Sequence, residues 1–414
     1  MCPPRSARGR PERVGRRSRT RPGPVPTPVS GAVRRGRRRS RHVACIGLTA
    51  GRSGPYDRPM TTILIIGVGD MGERVADGLA AGGPGRRLVL AGRSTEGDAV
   101  AATVASSRDC LVEAVRLDAS RSEEVAGLID KLRPDLIVHC ASLRSPWALA
   151  GRTDPAAEAV VAAGLGLRLP YQLPLILSVM RATRAAGYTG PVANLSFPDV
   201  TGPVLARLGL APTVGLGNAA MVHLRVRAAL RAANPDRPLP LIRVLAHHAQ
   251  VIGVMAARRP ADPDLACRVH LGEDGLRDDA LAYQAPPLAP GLRHNAVTGA
   301  AVLPVLEALL PGARALRHST AAPAGRPGGY PVRIVDGVVS LDLPPGLAEA
   351  DAIAFNERLA AGDGIDRIDA DGTVRLTAAA HRAVAGIAPD LAEPIAVDEI
   401  PARAARLDAV LAGA

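Results

Sequence analysis

Short apolar runs alternate with longer amphipathic stretches from residue 60 to about residue 220. The apolar runs are rich in Val, Ile and Leu, which predicts buried strands, and the stretches between them show helical periodicity. Strands that are apolar on both faces and separated by helices form a parallel sheet covered on both sides. Because crossovers between parallel strands are right-handed, this region is predicted to be a doubly wound α/β fold. The predicted strands are 62–67, 87–91, 111–117, 135–140, 191–195 and 213–216, and the predicted helices are 70–81, 95–106, 121–132 and 171–187.

Residues 221–414 show a less regular alternation, which predicts a second α/β (α+β) domain after a first domain at 60–220. The predicted strands of this second domain are 241–251, 332–335 and 337–343, and its predicted helices are 297–310 and 347–361. Four acidic residues near 363–371 do not have the spacing of an EF-hand, so a hairpin turn is predicted there. These four are Asp363, Asp366, Asp369 and Asp371.

The first predicted strand ends in the pattern G-x-G-x-x-G, formed by Gly67, Gly69 and Gly72. Gly67 permits a tight turn, Gly69 lets a pyrophosphate approach the backbone, and Gly72 lets helix and strand pack closely. The helix begins with Asp70 and Met71, and its free N–H groups and dipole favour an anion. These five residues are predicted to form the dinucleotide-binding turn of a Rossmann domain. The alternative is a buried βα turn that binds no ligand.

The end of the second predicted strand indicates the type of nucleotide. Enzymes that use NAD usually place an acid about twenty residues after the glycines, where it binds the ribose 2′-hydroxyl. This chain has Arg93, Ser94 and Thr95 there instead, and Glu96 lies too far along. A guanidinium with neighbouring hydroxyls can bind a 2′-phosphate, so NADP(H) is preferred over NAD(H). The alternative is that Arg93 is a solvated loop residue.

Further candidate ligands follow the later strands, because open α/β sheets bind ligands at the carboxyl ends of their strands. Asp118 contacts the adenine or helps to cap the next helix. Ala141 and Ser142 are predicted to contact the cofactor. The predicted substrate contacts are Trp147, Asn194, Asn218 and Tyr330. The alternatives are a domain contact for Trp147, a turn for Asn194, a helix cap for Asn218 and a plain loop for Tyr330. Arg293 or Arg326 would suit a substrate carboxylate.

Two adjacent histidines, His247 and His248, lie in the predicted strand 241–251. Neighbours on a strand point to opposite faces, so one of them can face the cofactor cleft, and the two do not hold one metal together. No HExxH motif or Cys/His cluster is present, so no metal site is predicted. Lys131 is the sole lysine, so a histidine is the natural acid/base for the proton that accompanies hydride. A structural role is the alternative for each histidine.

Residues 132–142 resemble the fourth strand of extended short-chain dehydrogenases, but those enzymes need a Tyr-x-x-x-Lys pair that this chain does not supply. The glycine pattern at 67–72 and the strand-two sequence Gly92-Arg93-Ser94 are more similar to the NAD(P)-binding domain of the saccharopine dehydrogenase-like group. That resemblance covers residues 62–150 and the general layout beyond. It implies a Rossmann fold and an NAD(P)-dependent reaction. One branch of the group is thought to use a catalytic lysine, which this chain does not offer, so no substrate is implied.

The first 59 residues contain 16 Arg and only two acids, a net charge of +14 against +12 for all 414 residues. The rest of the chain is therefore close to neutral. This Arg- and Pro-rich tail has almost no periodic apolar pattern and is predicted to be disordered. It lacks the aromatics of a nucleic-acid arm and the apolar run of a signal peptide. We expect Met60 to be the natural start and residues 1–59 to be an over-extended reading frame.

Together these features predict an NADP(H)-dependent oxidoreductase that transfers hydride to or from a C=O or C=N carbon of a small polar metabolite. The alternatives are a non-catalytic NADP(H)-binding sensor and an isomerase or lyase with transient oxidation. No apolar run is long enough to span a membrane, and scattered cysteines indicate a reduced, cytoplasmic protein. The expected partner is a small-molecule substrate, with no nucleic acid and no membrane, and a homodimer is left open.

Overall fold

The computed structural model describes residues 60–94 and 96–413, so the predicted tail at 1–59 and Thr95 lie outside the described residues. The strands are β1 (Thr61–Ile66), β2 (Arg86–Gly92), β3 (Leu111–Arg116), β4 (Leu136–His139), β5 (Val192–Asn194), β6 (Val214–Gly215), β7 (Ile242–Leu245), β8 (Arg268–Leu271), β9 (Leu276–Arg277), β10 (Leu316–Ala321), β11 (Gly329–Val335), β12 (Val338–Leu341), β13 (Ile365–Ile368) and β14 (Val374–Leu376). The helices are α1 (Asp70–Ala80), α2 (Glu96–Ser107), α3 (Ser122–Leu132), α4 (Pro155–Ala162), α5 (Leu169–Ala185), α6 (Pro198–Arg207), α7 (Asn218–Ala233), α8 (His248–Met255), α9 (Arg293–Ala308), α10 (Glu349–Leu359), α11 (Ala378–Ala385) and α12 (Ile400–Ala412).

Strands β1–β6 form the parallel part of the main sheet, in the order β3-β2-β1-β4-β5-β6. Ile63 of β1 is paired with Leu88 of β2 on one side and with Leu136 of β4 on the other. The strand order reverses between β1 and β4, which is the topological switch point of a doubly wound sheet. The predicted Rossmann-type fold is therefore confirmed. All of the strands and helices predicted before residue 220 are present, with ends shifted by no more than two residues.

Side chains of β1 point alternately to the two faces of the sheet, and helices cover both faces. Leu64 and Ile66 pack in a cluster with residues of α3, α5 and α6. Ile63 and Ile65 pack in a second cluster with residues of α1 and α9. Burying an aliphatic side chain of this size contributes about 1.5–3 kcal/mol, so these two clusters hold the glycine turn at the end of β1 in a rigid position.

Three antiparallel strands, β10, β11 and β12, extend the main sheet beyond β6. Ala321 of β10 is paired with Gly215 of β6, and β11 lies between β10 and β12. These strands come from residues 316–341, so segments on both sides of residue 220 share one sheet. The division into domains at 60–220 and 221–414 stays a prediction.

The predicted strand 241–251 is wrong in its second half. Strand β7 ends at Leu245, and α8 begins at His248. The cause is a capping box at the helix N-terminus: the N–H of Ala249 donates to Nδ1 of His247, and the N–H of His247 donates to the Gln250 side chain. The alternation of faces expected for a strand therefore does not apply to the two histidines.

The predicted hairpin near residue 370 is confirmed, with β13 antiparallel to β14. Helices α4, α11 and α12 lie in regions for which no element was predicted. No single helix among the described residues has the length and apolarity of a membrane span. The helical segments Pro155–Ala162 and Gly166–Ala185 are long and apolar enough only when taken together, and they are bent by 110° relative to each other. The described residues hold no group of three or more His, Cys, Asp or Glu side chains placed to bind a metal ion.

Candidate active site

A cavity of about 550 Å³ lies at the carboxyl edge of the parallel strands. Every loop that follows β1 to β6 contributes to its wall, together with α8 and the start of α9. This is the position at which open α/β sheets bind their ligands. Twelve of the predicted site residues line it: Gly67, Gly69, Asp70, Met71, Arg93, Ser94, Asp118, Ala141, Ser142, Trp147, Asn218 and His248.

The glycine turn has the shape that a dinucleotide pyrophosphate needs. Gly67 has φ +102°, and a Cβ on it would lie 2.6 Å from the backbone nitrogen of Ala141. Gly72 does not line the cavity but packs behind it, since a Cβ there would lie 1.9 Å from the Gly67 carbonyl oxygen. At Gly69, in contrast, a Cβ would meet no atom within 4 Å. The open space beside Gly69 faces the positive N-terminus of α1, so the residues present fit a bound pyrophosphate.

A hydrogen-bonded chain crosses the rim of the cavity from α1 to the β4–α4 loop. Asp70 accepts from Arg74 and also, at 2.7 Å, from Nδ2 of Asn295 on α9. The Oδ1 of Asn295 accepts the indole N–H of Trp147 at 3.0 Å. The Arg74 side chain, with a further contribution from Asn295, holds the pKa of Asp70 below its ordinary value. Trp147 also packs edge-on against His294, so it lies in a fixed position in the cavity wall.

Arg93 lies at the end of β2, exposed to solvent on the cavity wall. Among the described residues, no carboxylate lies within ion-pair distance of it. Asp118, after β3, accepts both the N–H and the hydroxyl of Ser120, and these bonds lower the pKa of Asp118. Asp118 therefore organises the turn before α3 and also lines the cavity. A cationic group beside an acidic turn fits the adenosine end of a nucleotide.

His248 lines the cavity, and behind it the buried carboxylate of Asp363 forms an ion pair with its ring. Nδ1 of His248 lies 2.8 Å and 3.0 Å from the two carboxylate oxygens of Asp363, and the Asp363 side chain is only 5% exposed. Burial alone would lower the pKa of His248, but Asp363 and Asp199 outweigh it and raise that pKa. Burial opposes ionisation of Asp363, yet His248 and His247 hold its pKa far below the ordinary value. Each partner therefore favours the charged form of the other: Asp363 favours protonated His248, and His248 favours ionised Asp363.

The same geometry directs the reactive nitrogen of His248. Because Nδ1 is bonded to Asp363, Nε2 is the ring nitrogen left to face the cavity. The ring also packs edge-on against Phe197, with 5.1 Å between centroids. Phe197 has φ +43°, an uncommon conformation for a large side chain, and such strain is concentrated at functional sites.

Asp199 lies where the N-termini of three helices meet. It is buried near the start of α6, it accepts the N–H of His248 at the start of α8 at 3.0 Å, and it accepts the side-chain amide of Asn218 at the start of α7. Three helix dipoles stabilise its negative charge at this point. Asp199 therefore links the predicted residues Asn218 and His248 to one support.

Three other predicted site residues lie away from the cavity. His247 is fully buried, and its Nδ1 caps α8 and lies 3.3 Å from Asp363. Asn194 is fully buried and bonded to His139, Ser196 and Thr201, so it serves the turn after β5. Tyr330 is fully buried in a cluster with Leu245 and Phe355. Asn194 and Tyr330 point inward from strands β5 and β11, whereas His247 is buried as the N-cap of α8.

The structure also brings in residues that the sequence did not single out as ligands: His294 and Asn295 at the start of α9, and Asp199 and Asp363 beside His248. Asp199 had a usable signal, since it follows β5 at the predicted ligand-binding edge. Asp363 had none, because it lies far along the chain in a segment predicted only as a turn.

Comparison with known proteins agrees with this geometry. The KR domain family model matches residues 61–165, which contain the glycine turn, Arg93 and the β4 end. This is an NAD(P)-binding, short-chain dehydrogenase-like Rossmann domain. No curated protein sequence matches the chain significantly.

Several solved structures match the chain at low sequence identity. A lactate dehydrogenase from a Medee basin deep-sea metagenome is 11% identical with a TM-score of 0.44, covering 74% of this chain and 97% of its own. The minor L-lactate dehydrogenase of Enterococcus mundtii is 14% identical with a TM-score of 0.42, covering 73% and 96%. A short-chain dehydrogenase of Mycobacterium smegmatis is 20% identical with a TM-score of 0.24, covering 33% and 57%.

The family match carries the conclusion about activity class. The chain is an NAD(P)-dependent dehydrogenase or reductase, as predicted from the glycine turn. Its cofactor is a nicotinamide nucleotide, NAD or NADP.

Proposed function

We propose that this protein is an NADP(H)-dependent oxidoreductase that transfers hydride between the nicotinamide and a C=O or C=N carbon of a small molecule. The observation that carries the proposal is His248, which is paired with the buried Asp363 and lines the same cavity as the glycine turn. A dinucleotide site and a proton donor in one cavity are the two components that such a reaction needs.

The protein's part in the reaction follows from its own groups. The nicotinamide, when bound, supplies or accepts the hydride. His248 gives a proton from Nε2 to the oxygen or nitrogen that gains negative charge as hydride arrives. In the reverse direction, neutral His248 takes that proton back. Asp363 fixes the tautomer and orientation of the ring and stabilises its charged form, so the proton is delivered from a defined direction.

The preference for NADP(H) rests on Arg93. Its guanidinium lies at the end of β2, the position beside the ribose 2′-oxygen in Rossmann domains, and a bidentate guanidinium–phosphate contact suits it. The saccharopine dehydrogenase-like resemblance supports the same reaction class. Within that class we favour an enzyme that uses histidine, because Lys131 lies on α3 and does not line the cavity.

A nucleotide titration of the full chain tests the cofactor assignment. Trp147 is the only tryptophan and lines the cavity, so its emission reports binding directly. We expect NADPH to bind more tightly than NADH, and Arg93→Ala to weaken NADPH binding about 10- to 100-fold while leaving NADH binding unchanged. Arg116→Ala is the matched control, because Arg116 is an exposed arginine at the end of β3 that does not line the cavity. Equal losses for both nucleotides would contradict the 2′-phosphate contact.

A second measurement separates an enzyme from a nucleotide-binding sensor. His248→Gln should lower the turnover of carbonyl reduction by about 10²- to 10⁴-fold, the usual contribution of a positioned acid, and leave NADPH affinity within about threefold. A protein that binds NADPH tightly but shows no turnover at all would be a sensor. Turnover that is unchanged in His248→Gln would contradict the role of His248 as the acid. Nucleotide binding that is itself lost in His248→Gln would instead show a structural role for this residue.

A further inference from the structure

We infer that the substrate is an uncharged carbonyl compound with apolar substituents rather than a carboxylate or phosphate. This inference rests on the proposed function, because it concerns the part of the cavity next to His248. It replaces the sequence-based expectation of a small polar metabolite with a less polar chemical class that can be tested.

The walls around His248 are apolar on several sides. Val251 and Ile252 lie one turn along α8, on the same helix face as His248, and both line the cavity. Met221, one turn after Asn218 on α7, lines the cavity and packs in one cluster with Val251. Phe197 lies against the His248 ring itself. A substrate whose reacting atom reaches Nε2 of His248 therefore places its substituents against hydrocarbon.

Within the described part of the chain, Arg168 is a partly buried cation whose charge acts on His248, but it donates to the Pro146 carbonyl and does not line the cavity. Among the described residues that line the cavity, Arg93 is the only Lys or Arg. It follows β2, whereas His248 is held by Phe197 and Asp199, which follow β5. Three strand spacings separate β2 from β5, about 14 Å, so one small substrate does not span both. Arg93 therefore serves the nucleotide.

The other arginines considered for a carboxylate are also unsuited. Arg326 is paired with Glu349 at 2.6 Å, and neither Arg326 nor Arg293 lines the cavity. His248 is not a substitute, because its charge is already paired with Asp363, and the buried Asp199 lies beside its backbone. A substrate carboxylate would thus be desolvated near two carboxylates without a partner of its own, which is strongly unfavourable.

The polar groups that remain near this end are neutral. Asn218, Ser196 and Gln172 line the cavity, with the Ser196 hydroxyl donating to the Gln172 side chain. Amides and hydroxyls can bind a carbonyl or hydroxyl oxygen, which is enough to orient an uncharged substrate. The combination of one acid, neutral hydrogen-bonding groups and hydrocarbon walls fits a ketone or aldehyde.

The test compares two carbonyl compounds of similar shape, hexan-2-one and 2-oxohexanoate, in which a carboxylate replaces the methyl group. Turnover is followed as NADPH oxidation by the full chain. Binding is followed separately as the increase in thermal midpoint when each compound is added to the NADPH-saturated protein. We expect kcat/KM for hexan-2-one to exceed that for 2-oxohexanoate by about 100-fold or more.

Two variants then test the cause. Met221→Arg should reverse the preference, whereas Met221→Leu, which keeps volume and neutrality, should retain it. Ile252→Arg is a second variant that does not depend on burial, since Ile252 is 38% exposed, and it should also raise 2-oxohexanoate turnover relative to hexan-2-one. NADPH affinity shows whether each variant is folded.

The outcomes distinguish this inference from the proposed function. Preferential turnover of 2-oxohexanoate by the unaltered protein would overturn the substrate class while leaving hydride transfer intact. Stabilisation by hexan-2-one with no turnover would support the substrate class and contradict hydride transfer. If neither compound stabilises the NADPH complex or is turned over, the substrate class proposed here is wrong.

Discussion

Asp363→Asn is the substitution that tests the acid/base assignment most directly. It removes one negative charge and keeps the size and shape of the side chain. Asp363 accepts from Nδ1 of His248 through both carboxylate oxygens, at 2.8 Å and 3.0 Å, in a nearly solvent-free position. Its loss therefore acts on His248 without changing the cavity wall.

The structure sets the expected size of the effect. A hydrogen bond to a charged group contributes about 1.5–3 kcal/mol, and Asn retains one neutral acceptor, so we expect a loss of about 2–3 kcal/mol in unfolding free energy. With about 2.1 cal/mol/K of unfolding entropy per residue over roughly 350 folded residues, the melting temperature should fall by about 3–4 °C. Turnover in carbonyl reduction should fall by about 100-fold, because the ring loses both its fixed tautomer and its charged partner.

The pH dependence gives a more specific signature than the rate alone. The pKa of His248 is raised in the folded protein, so its stabilising contribution is complete below the unfolded value of about 6.5 and is lost as pH rises through the folded pKa. The pKa of Asp363 is lowered, so its contribution is present above about pH 4 and is lost as pH falls through the folded pKa. The stability difference between the two proteins should thus be largest from about pH 4 to 6.5.

The assay combines thermal unfolding from pH 4 to 9 with initial rates of NADPH-dependent reduction over the same range. Reduction needs protonated His248, so the rate should fall at high pH, and in Asp363→Asn the fall should move to lower pH. Asp366→Asn, three residues along the chain in β13 but exposed and paired with Arg367, is the matched control. An unchanged pH profile with a reduction rate within about threefold of the unaltered protein would refute the role given to Asp363.

Two further predictions concern the glycine turn and the core. Gly69→Ala should leave the melting temperature unchanged and weaken NADPH binding at least about tenfold, because the new methyl group meets only the space for the pyrophosphate. Gly67→Ala should instead lower the melting temperature, because Gly67 has a positive φ and its new methyl group would meet Ala141. Calorimetry and nucleotide titration of both variants check this. His318 is stacked on His223 at 4.0 Å, and burial lowers the pKa of His318 from 6.5 to about 4. Because the unfolded chain binds this proton at a higher pH than the folded protein does, the free energy of unfolding should fall by up to about 3 kcal/mol as pH falls from 6.5 to 4. Urea unfolding across that range should show this slope reduced in His318→Gln.

The parallel half of the fold could be predicted from the sequence because its signals are local. Each strand is a short apolar run and each helix has its own periodicity, so β1 to β6 were located within two residues. The extension of the sheet by β10–β12 could not be predicted in this way. It depends on pairing between Gly215 and Ala321, more than one hundred residues apart, and neither residue carries a signal for that contact.

The cofactor end of the cavity was predictable for the same reason. In a doubly wound sheet, residues that follow strands reach one edge, so Gly67, Arg93 and Asp118 were placed by knowing only where the strands end. The same rule does not describe Asn194 and Tyr330, which were predicted to contact the substrate but do not line the cavity. Asn194 and Tyr330 belong to strands, and their side chains point into the layers rather than over the edge. Position along a strand predicts the edge, but not the direction of a side chain.

The acid/base pair shows the limit of such reasoning and its physical origin. His248 comes from the start of α8, and Asp363 from a turn 115 residues later, so the pair exists only if that turn is brought against the Rossmann domain. Two glycines permit the backbones of residues 163–164 and 363–364 to come this close. A Cβ on Gly164 would lie 2.4 Å from the Asp363 carbonyl oxygen, and one on Gly364 would lie 2.0 Å from the Ala163 carbonyl oxygen. Both have positive φ, so the backbones touch where no other residue fits well. The position of the carboxylate beside His248 is therefore set by backbone packing between distant segments, which no pattern around Asp363 itself encodes.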